Sequence, residues 1–229
     1  MSNNDKRTFV YIDGFNLYYG SLRKSPHKWL DPRKLCCNLL QSYNKIENLY
    51  YFTARVKDRK SDPTISTRQD TYFRALKTLP KLEIIEGHYL SHPTYMQLVN
   101  PPLYRKVEIG FKIGSKYQSV NSVEVIKTEE KGSDVNLSTQ ILLDAFDNRF
   151  DVAVIISNDS DLATPVRFVR TRFNKRVIIL NPHSFDKRSK ELSQYAAKTI
   201  EITQDHISES QFPNPIDTGR LKIYKPKSW

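Results

Sequence analysis

Asp13 directly follows the apolar run Thr8-Phe9-Val10-Tyr11-Ile12, and Asp159 and Asp161 follow Asp151-Val152-Ala153-Val154-Ile155-Ile156-Ser157, the most apolar strand-like run in the chain. Asp134 opens a helix-like segment after Lys131-Gly132-Ser133. A carboxylate set at the end of a buried strand loses hydration, which is tolerated when the group has a task. With the two strands as neighbours, all four carboxylates face one crevice. Two unit charges about 4 Å apart repel by roughly 4 kcal/mol at an effective dielectric of 20. Four must therefore be answered by protons, basic side chains or a cation. All-oxygen ligands with open water positions suit Mg²⁺ or Mn²⁺. The chemistry that follows is metal-activated water attacking a phosphodiester. Asn16, one helical turn beyond Asp13, reaches the same crevice. Each residue also has a plain structural use: Asp161 as a helix cap, Asp134 as a first-turn acid, Asn16 as a local turn bond. The set is more informative than any member.

The surroundings have the opposite sign. Thirty-six Lys and Arg against 25 Asp and Glu leave a formal charge of +11 over 229 residues. A surplus of that size favours a polyanionic partner. The segment Pro165 to Lys190 carries eight Lys or Arg against one acid, Asp186. Arg167, Arg170, Lys175, Arg176, Lys187 and Arg188 are the candidates for phosphate contacts. An acidic pit in a basic surface is the charge plan of a nuclease. Tyr18 and Tyr19 follow the first acidic position and suit either base stacking or core packing. Asp144 and Asp147, late in their helix, read as surface acids.

Elements that position these residues are legible as alternating strands and helices. Strand-like segments are Thr8–Ile12, Ile46–Val56, Leu82–Tyr89, Asp151–Ser157, Arg176–Leu180 and Lys198–Ile202. Helical segments are Phe15–Leu22, Pro32 to about Ser42, Thr64–Leu79, Asp134–Phe146, Leu162–Phe173 and Ser189–Ala197. Asp31-Pro32 is a cap and first turn. Such alternation implies a mainly parallel sheet covered on both faces. Ligands of such sheets bind beyond the carboxyl ends of the strands, where the strand order reverses. Between Ser91 and Glu130 the pattern changes. Lys106–Ile113 and Val120–Ile126 alternate polar and apolar around a Gly-Ser turn, which predicts an antiparallel hairpin inserted at 91–130. The division is a domain over 1–210 and a basic, proline-containing tail over 211–229, expected to be loosely held.

Val10-Tyr11-Ile12-Asp13-Gly14-Phe15-Asn16-Leu17, Lys131-Gly132-Ser133-Asp134-Val135 and Ile156-Ser157-Asn158-Asp159-Ser160-Asp161-Leu162 resemble, in order, the three motifs of the NYN domain family, PIN-like proteins also called LabA-like. The resemblance runs from about Thr8 to about Ile202. It implies an α/β fold, a three-layer α/β/α PIN-like (Rossmannoid) domain with a central parallel sheet of order 3-2-1-4-5, to which the hairpin would be added. It also implies metal-dependent RNA cleavage. By motif, Asp13, Asp134, Asp159 and Asp161 correspond to cation ligands or water-activating acids, and Asn16 to the polar partner that positions metal or phosphate. Asn158 stands where many relatives have glycine.

Other classes are disfavoured. No run reaches the roughly 18 apolar residues of a membrane helix. The N-terminal segment is polar, without an apolar signal region, so a cytoplasmic location and no membrane partner are expected. Cys36 and Cys37 are adjacent and offer no disulfide framework. There is neither a Gly-x-Ser-x-Gly elbow nor a glycine-rich dinucleotide loop. The expected function is a Mg²⁺- or Mn²⁺-dependent endoribonuclease acting on single-stranded RNA. The alternatives are an RNA-binding or regulatory protein that cleaves little, and a metal-dependent phosphohydrolase of small nucleotides. The oligomeric state, a homodimer included, is left open.

Overall fold

The run before Asp13 forms strand β1 (Lys6–Asp13), which passes into one helical turn, α1 (Gly14–Leu17), and a π-helical turn over Tyr18–Leu22. Next come α2 (Pro32–Leu39), β2 (Asn44–Ala54), α3 (Ile65–Leu76) and β3 (Leu82–Gln97). Short strands β4 (Leu103–Arg105) and β5 (Tyr117–Ser119) precede β6 (Ser122–Lys131). The alternation then resumes with α4 (Ser133–Phe146), β7 (Val152–Ile156), α5 (Ala163–Thr171), β8 (Arg176–Asn181), α6 (Lys190–Ser193) and β9 (Lys198–Glu201). The chain closes with α7 (Gln204–Glu209), β10 (Ile216–Asp217) and β11 (Lys222–Ile223). This computed structural model describes residues 5–100, 103–105, 117–119 and 121–229. The alternating run at Lys106–Ile113 lies outside them.

The main sheet has seven strands in the order β6-β3-β2-β1-β7-β8-β9. It is not the five-stranded 3-2-1-4-5 sheet that the resemblance implies, because β9 extends one edge and β6 the other. β1 pairs in parallel with both β2 and β7, and β3, β8 and β9 continue the parallel pairing outwards. The chain therefore steps away from β1 in two directions, and the reversal lies between β1 and β7. In such sheets ligands bind beyond the carboxyl ends at that reversal.

Period-two alternation sends successive β1 residues to opposite faces. Val10 and Ile12 pack with Leu17 of α1, Leu35 of α2, Leu76 of α3 and Ile207 of α7. Phe9 and Tyr11 pack with Leu137 and Ile141 of α4 and Val166 and Val169 of α5. Both faces are covered, which explains why the β7 strand is buried along its whole length.

Two units separate by their contacts: one runs to His88 and resumes at Lys131, the other is Tyr89–Glu130. In the second unit, the far half of β3 runs antiparallel to β6. The Ser91 and Thr128 hydroxyls bond at 2.9 Å, and the Leu98 amide donates to the Asn121 carbonyl at 2.8 Å. A partner of the 122–131 strand is thus β3, which continues through Pro93 to Gln97; the 106–113 half of the expected hairpin lies outside the described residues. β4 and β5 pair antiparallel.

The C-terminal segment is not loose. Phe212, Ile216 and Ile223 are buried, and Trp229 packs on Trp29 and Tyr72 with ring centres 6.4 and 5.7 Å apart. Proline and lysine content suggested a solvated tail; four apolar anchors spaced through it tie it to the core instead. Cys36 and Cys37 are both free thiols. Among the described residues no helix is long and apolar enough to cross a membrane.

Candidate functional site

Asp13 is the last residue of β1 and the N-cap of α1. Its Oδ1 accepts the Asn16 amide at 2.9 Å, and its Oδ2 accepts the Ser157 hydroxyl at 3.0 Å. The Ser157 hydroxyl in turn accepts the Asp159 amide at 3.1 Å. The Asn16 side-chain carbonyl accepts the Asn158 amide at 2.9 Å. The ends of β1 and β7 are thereby stitched together across the strand reversal. The turn beneath them requires glycine at position 14. A Cβ there would lie 2.6 Å from the Tyr51 ring and 2.9 Å from the Phe52 carbonyl.

Only 5% of Asp13 is exposed. Its carboxyl is pushed up to about 6, first by burial and then by the negative charges of Asp134 and Asp159; the Asn16 amide and the Ser157 hydroxyl pull the other way. Among the described residues no basic side chain bonds to Asp13. Asp134 reaches this field from the first turn of α4, half-buried, behind Gly132 in the left-handed region at φ +100°. Asp159 is half-buried and caps the next turn, its Oδ1 accepting the Asp161 amide at 2.9 Å. Asp161 is exposed, and the bond it brings to this network comes from its backbone. Asp134 and Asp159 therefore both act by charge on Asp13, and Asn16 bridges to the same place.

Among the described residues no group of three His, Cys, Asp or Glu side chains is placed to hold a metal ion. Mg²⁺ does not need one. It keeps several waters and takes one or two carboxylates. A buried carboxylate under the field of two others, with oxygen ligands only, fits a hydrated hard cation.

Ser157 is not among the expected site residues, and Asn158 figures there only as a departure from glycine. Ser157 is the hydroxyl that fixes Asp13. Asn158 is more than a departure from glycine. Its Nδ2 donates to the Lys187 carbonyl at 2.9 Å and its Oδ1 accepts the Ser189 amide at 2.6 Å, which ties the segment after β8 to the crevice. The side-chain polarity next to a strand-end acid was the available signal.

The six basic candidates divide between the two ends of the sheet. Lys187 and Arg188 follow β8 on the crevice side, with Arg188 stacked 3.6 Å over the Phe185 ring. Arg167 and Arg170 lie along α5, which leads away from the crevice. Lys175 and Arg176 lie at the amino ends of the strands: Lys175 bonds to Asn148, and Arg176 pairs in register with Val152 at the start of β7. In a parallel sheet that is the end opposite Asp13, so these two do not belong to one surface with the acids.

Asp144 is likewise not a surface acid. It is 1% exposed and accepts from Tyr11 Oη at 2.8 Å, Gln140 Nε2 at 3.0 Å and Arg149 Nη1 at 2.6 Å. Leu137, Ile141 and Asp144 share one helix face, and that spacing was the missed sign of burial.

On the other face of β1, beside Gly14, lies a cavity of about 110 Å³. Tyr18 and Tyr19 both line it, together with Phe15, Tyr51, Tyr72 and Trp229. The Tyr51 ring touches this cavity and also feels the charge of Asp13.

Comparison with known proteins gives three results. The NYN domain model matches residues 7–203. The 6-hydroxy-3-succinoylpyridine 3-monooxygenase HspA of Pseudomonas putida is 31% identical over 245 aligned positions, covering 97% of this chain and 75% of that protein. A crystal structure of a protein of unknown function from Vibrio parahaemolyticus superposes with a TM-score of 0.55 at 17% identity, covering 90% of this chain and 98% of the other. At that identity the likeness concerns the fold alone.

Proposed function

The chain belongs to the NYN domain family, and from that premise we propose that it is a Mg²⁺- or Mn²⁺-dependent hydrolase of phosphodiester bonds in single-stranded RNA. One observation carries the reading: Asp13 is buried at the strand reversal, under the charges of Asp134 and Asp159, and among the described residues no basic side chain bonds to it. Asp13, with Asp134 or Asp159 beside it, would hold a largely hydrated cation, and the other of the two and Asp161 would add negative charge around it. When bound, such an ion polarises a phosphoryl oxygen and makes a nucleophile of water.

The chain's own residues prepare that place. The Asn16 amide and the Ser157 hydroxyl fix both oxygens of Asp13. The Asn16 side chain, held by the Asn158 amide, keeps the turns after β1 and β7 in register. Below about pH 6 Asp13 holds a proton, which it would give up to bind a cation. Lys187 and Arg188, on the crevice side, supply the cationic contacts to the phosphate chain, with Arg167 and Arg170 beyond them.

A second reading has a specific observation behind it. The Pseudomonas relative is named as a monooxygenase of a substituted pyridine, and an aromatic cavity adjoins Gly14. It predicts turnover of a small aromatic acid and no RNA product.

Labelled single-stranded RNA incubated with Mn²⁺, Mg²⁺ or EDTA, beside Asp13→Asn and Asp159→Asn purified identically, tests the first reading. Cleavage that needs metal and vanishes in both variants is expected. Equal cleavage in wild type and both variants removes it. Salt-sensitive binding without any product moves the protein to an RNA-binding role.

A further inference from the structure

The cavity beside Gly14 is built from rings and rimmed by cations. Phe15, Tyr18, Tyr19, Tyr72, Phe73 and Trp229 line it. Lys28, Arg59 and Arg68 supply three positive charges, and Thr53 and Gln69 add polar contacts. Its lining acids number none. The Gln69 side chain is already oriented: its Oε1 accepts the Val56 amide at 2.9 Å and its Nε2 donates to the Ala54 carbonyl at 2.9 Å. Arg68 is held by Asp62 and Thr64. Arg59 is exposed, and among the described residues its guanidinium makes no ion pair. A volume of about 110 Å³ is on the scale of the roughly 150 Å³ apolar cavity known to take up benzene.

From this arrangement we infer that the cavity binds a planar heteroaromatic ring carrying an anionic group, the ring between the tyrosines and Trp229 and the anion against Arg59 and Arg68. Aromatic walls favour a flat ring through stacking and burial. Guanidinium groups at the rim recognise phosphate or carboxylate by paired N–H donors. An apolar molecule would leave Arg59 and Lys28 without an anionic partner from the ligand, and a sugar phosphate would leave the rings unanswered. Two sources share this chemistry: a nucleotide of an RNA strand whose backbone continues into the crevice past Asp13, and a free aromatic acid. The inference rests on the cavity alone and needs neither metal nor cleavage.

Binding measured in EDTA keeps it separate from the acidic site. The full chain is titrated with uridine 5′-monophosphate, with nicotinate and with ribose 5-phosphate, followed by tryptophan fluorescence and quantified by equilibrium dialysis. Trp229→Phe assigns the signal, since Trp229 lines the cavity. Arg59→Gln and Tyr19→Ala alter exposed positions, and circular dichroism checks that they fold. Saturable binding of uridine 5′-monophosphate or nicotinate is expected, with ribose 5-phosphate inert and affinity lowered about tenfold in Arg59→Gln. Binding of the nucleotide alone makes the cavity a nucleotide subsite; binding of nicotinate alone makes it a site for small aromatic acids; either upholds the inference. It is overturned when neither ring compound binds, when ribose 5-phosphate binds equally well, or when both variants bind like wild type.

Discussion

The two ends of the parallel sheet hold buried or half-buried carboxylates in opposite circumstances. Toward the amino ends, Asp151 and Asp144 each have an arginine partner. Arg7 reaches Asp151 through Nη2 at 2.9 Å and Nε at 3.3 Å, and holds its carboxyl below the usual range. Asp144, fully buried at the end of α4, is answered by Arg149, Tyr11 and Gln140. At the carboxyl ends, Asp13 is almost as buried, yet among the described residues its bonds come from a backbone amide and a hydroxyl, and the charges acting on it are those of Asp134 and Asp159. Burial alone does not separate a structural acid from a working one. The separating feature is whether the fold itself supplies the opposite charge.

The comparison breaks most visibly at Asp13. Asp13→Asn is expected to lower metal-dependent RNA cleavage by at least about a hundredfold, read from initial rates. The same variant should melt higher than wild type near neutral pH without metal. A carboxyl whose pKa is raised to about 6 favours the fold when protonated. That contribution is complete below about pH 4 and fades as pH rises through 6. Wild-type melting temperature should fall across that window in EDTA, and that of Asp13→Asn should not share the decline.

Arg149→Ala tests the other end. It leaves Asp144 buried without its cation, and Arg149 is itself 44% exposed. A loss of about 2 kcal/mol of stability is expected by denaturant unfolding, with cleavage retained. Smaller effects separate the basic residues. Replacing Lys187 and Arg188 by Gln should weaken RNA binding several-fold and flatten its salt dependence by about two phosphate contacts. Replacing Lys175 and Arg176 should leave both unchanged, because they sit at the amino ends. The smallest effect is at Arg7. Its pair with Asp151 is 41% and 35% exposed, so Arg7→Gln should cost about 1 kcal/mol or less.

The acidic end was legible in the sequence because a short apolar run ending in Asp states its own geometry: buried strand, then carboxylate at the crevice. β1 and β7 both read this way, and their pairing follows from the strand reversal. Position 144 was not legible as a buried acid, since its charge outweighed a helical spacing from Leu137 and Ile141. The third strand-like segment ends at Tyr89, whereas β3 runs on to Gln97; the sequence there carries no continuous apolar face to mark the strand. The cavity was invisible because its rings and cations come from α1 and the π-helical turn after it, the segment before α2, β2 and the turn after it, α3 and Trp229, and no local pattern links residues so far apart. Tyr18 and Tyr19 alone pointed to it.

The central claim is that the charge missing around Asp13 comes from a divalent cation. Carbon-13 NMR of the aspartate carboxyls, titrated with and without Mg²⁺ and assigned with Asp13→Asn, measures it directly. The account predicts a midpoint near 6 for Asp13 in EDTA and a fall below the ordinary carboxyl range when Mg²⁺ is present. An Asp13 midpoint that does not move with Mg²⁺ would contradict it.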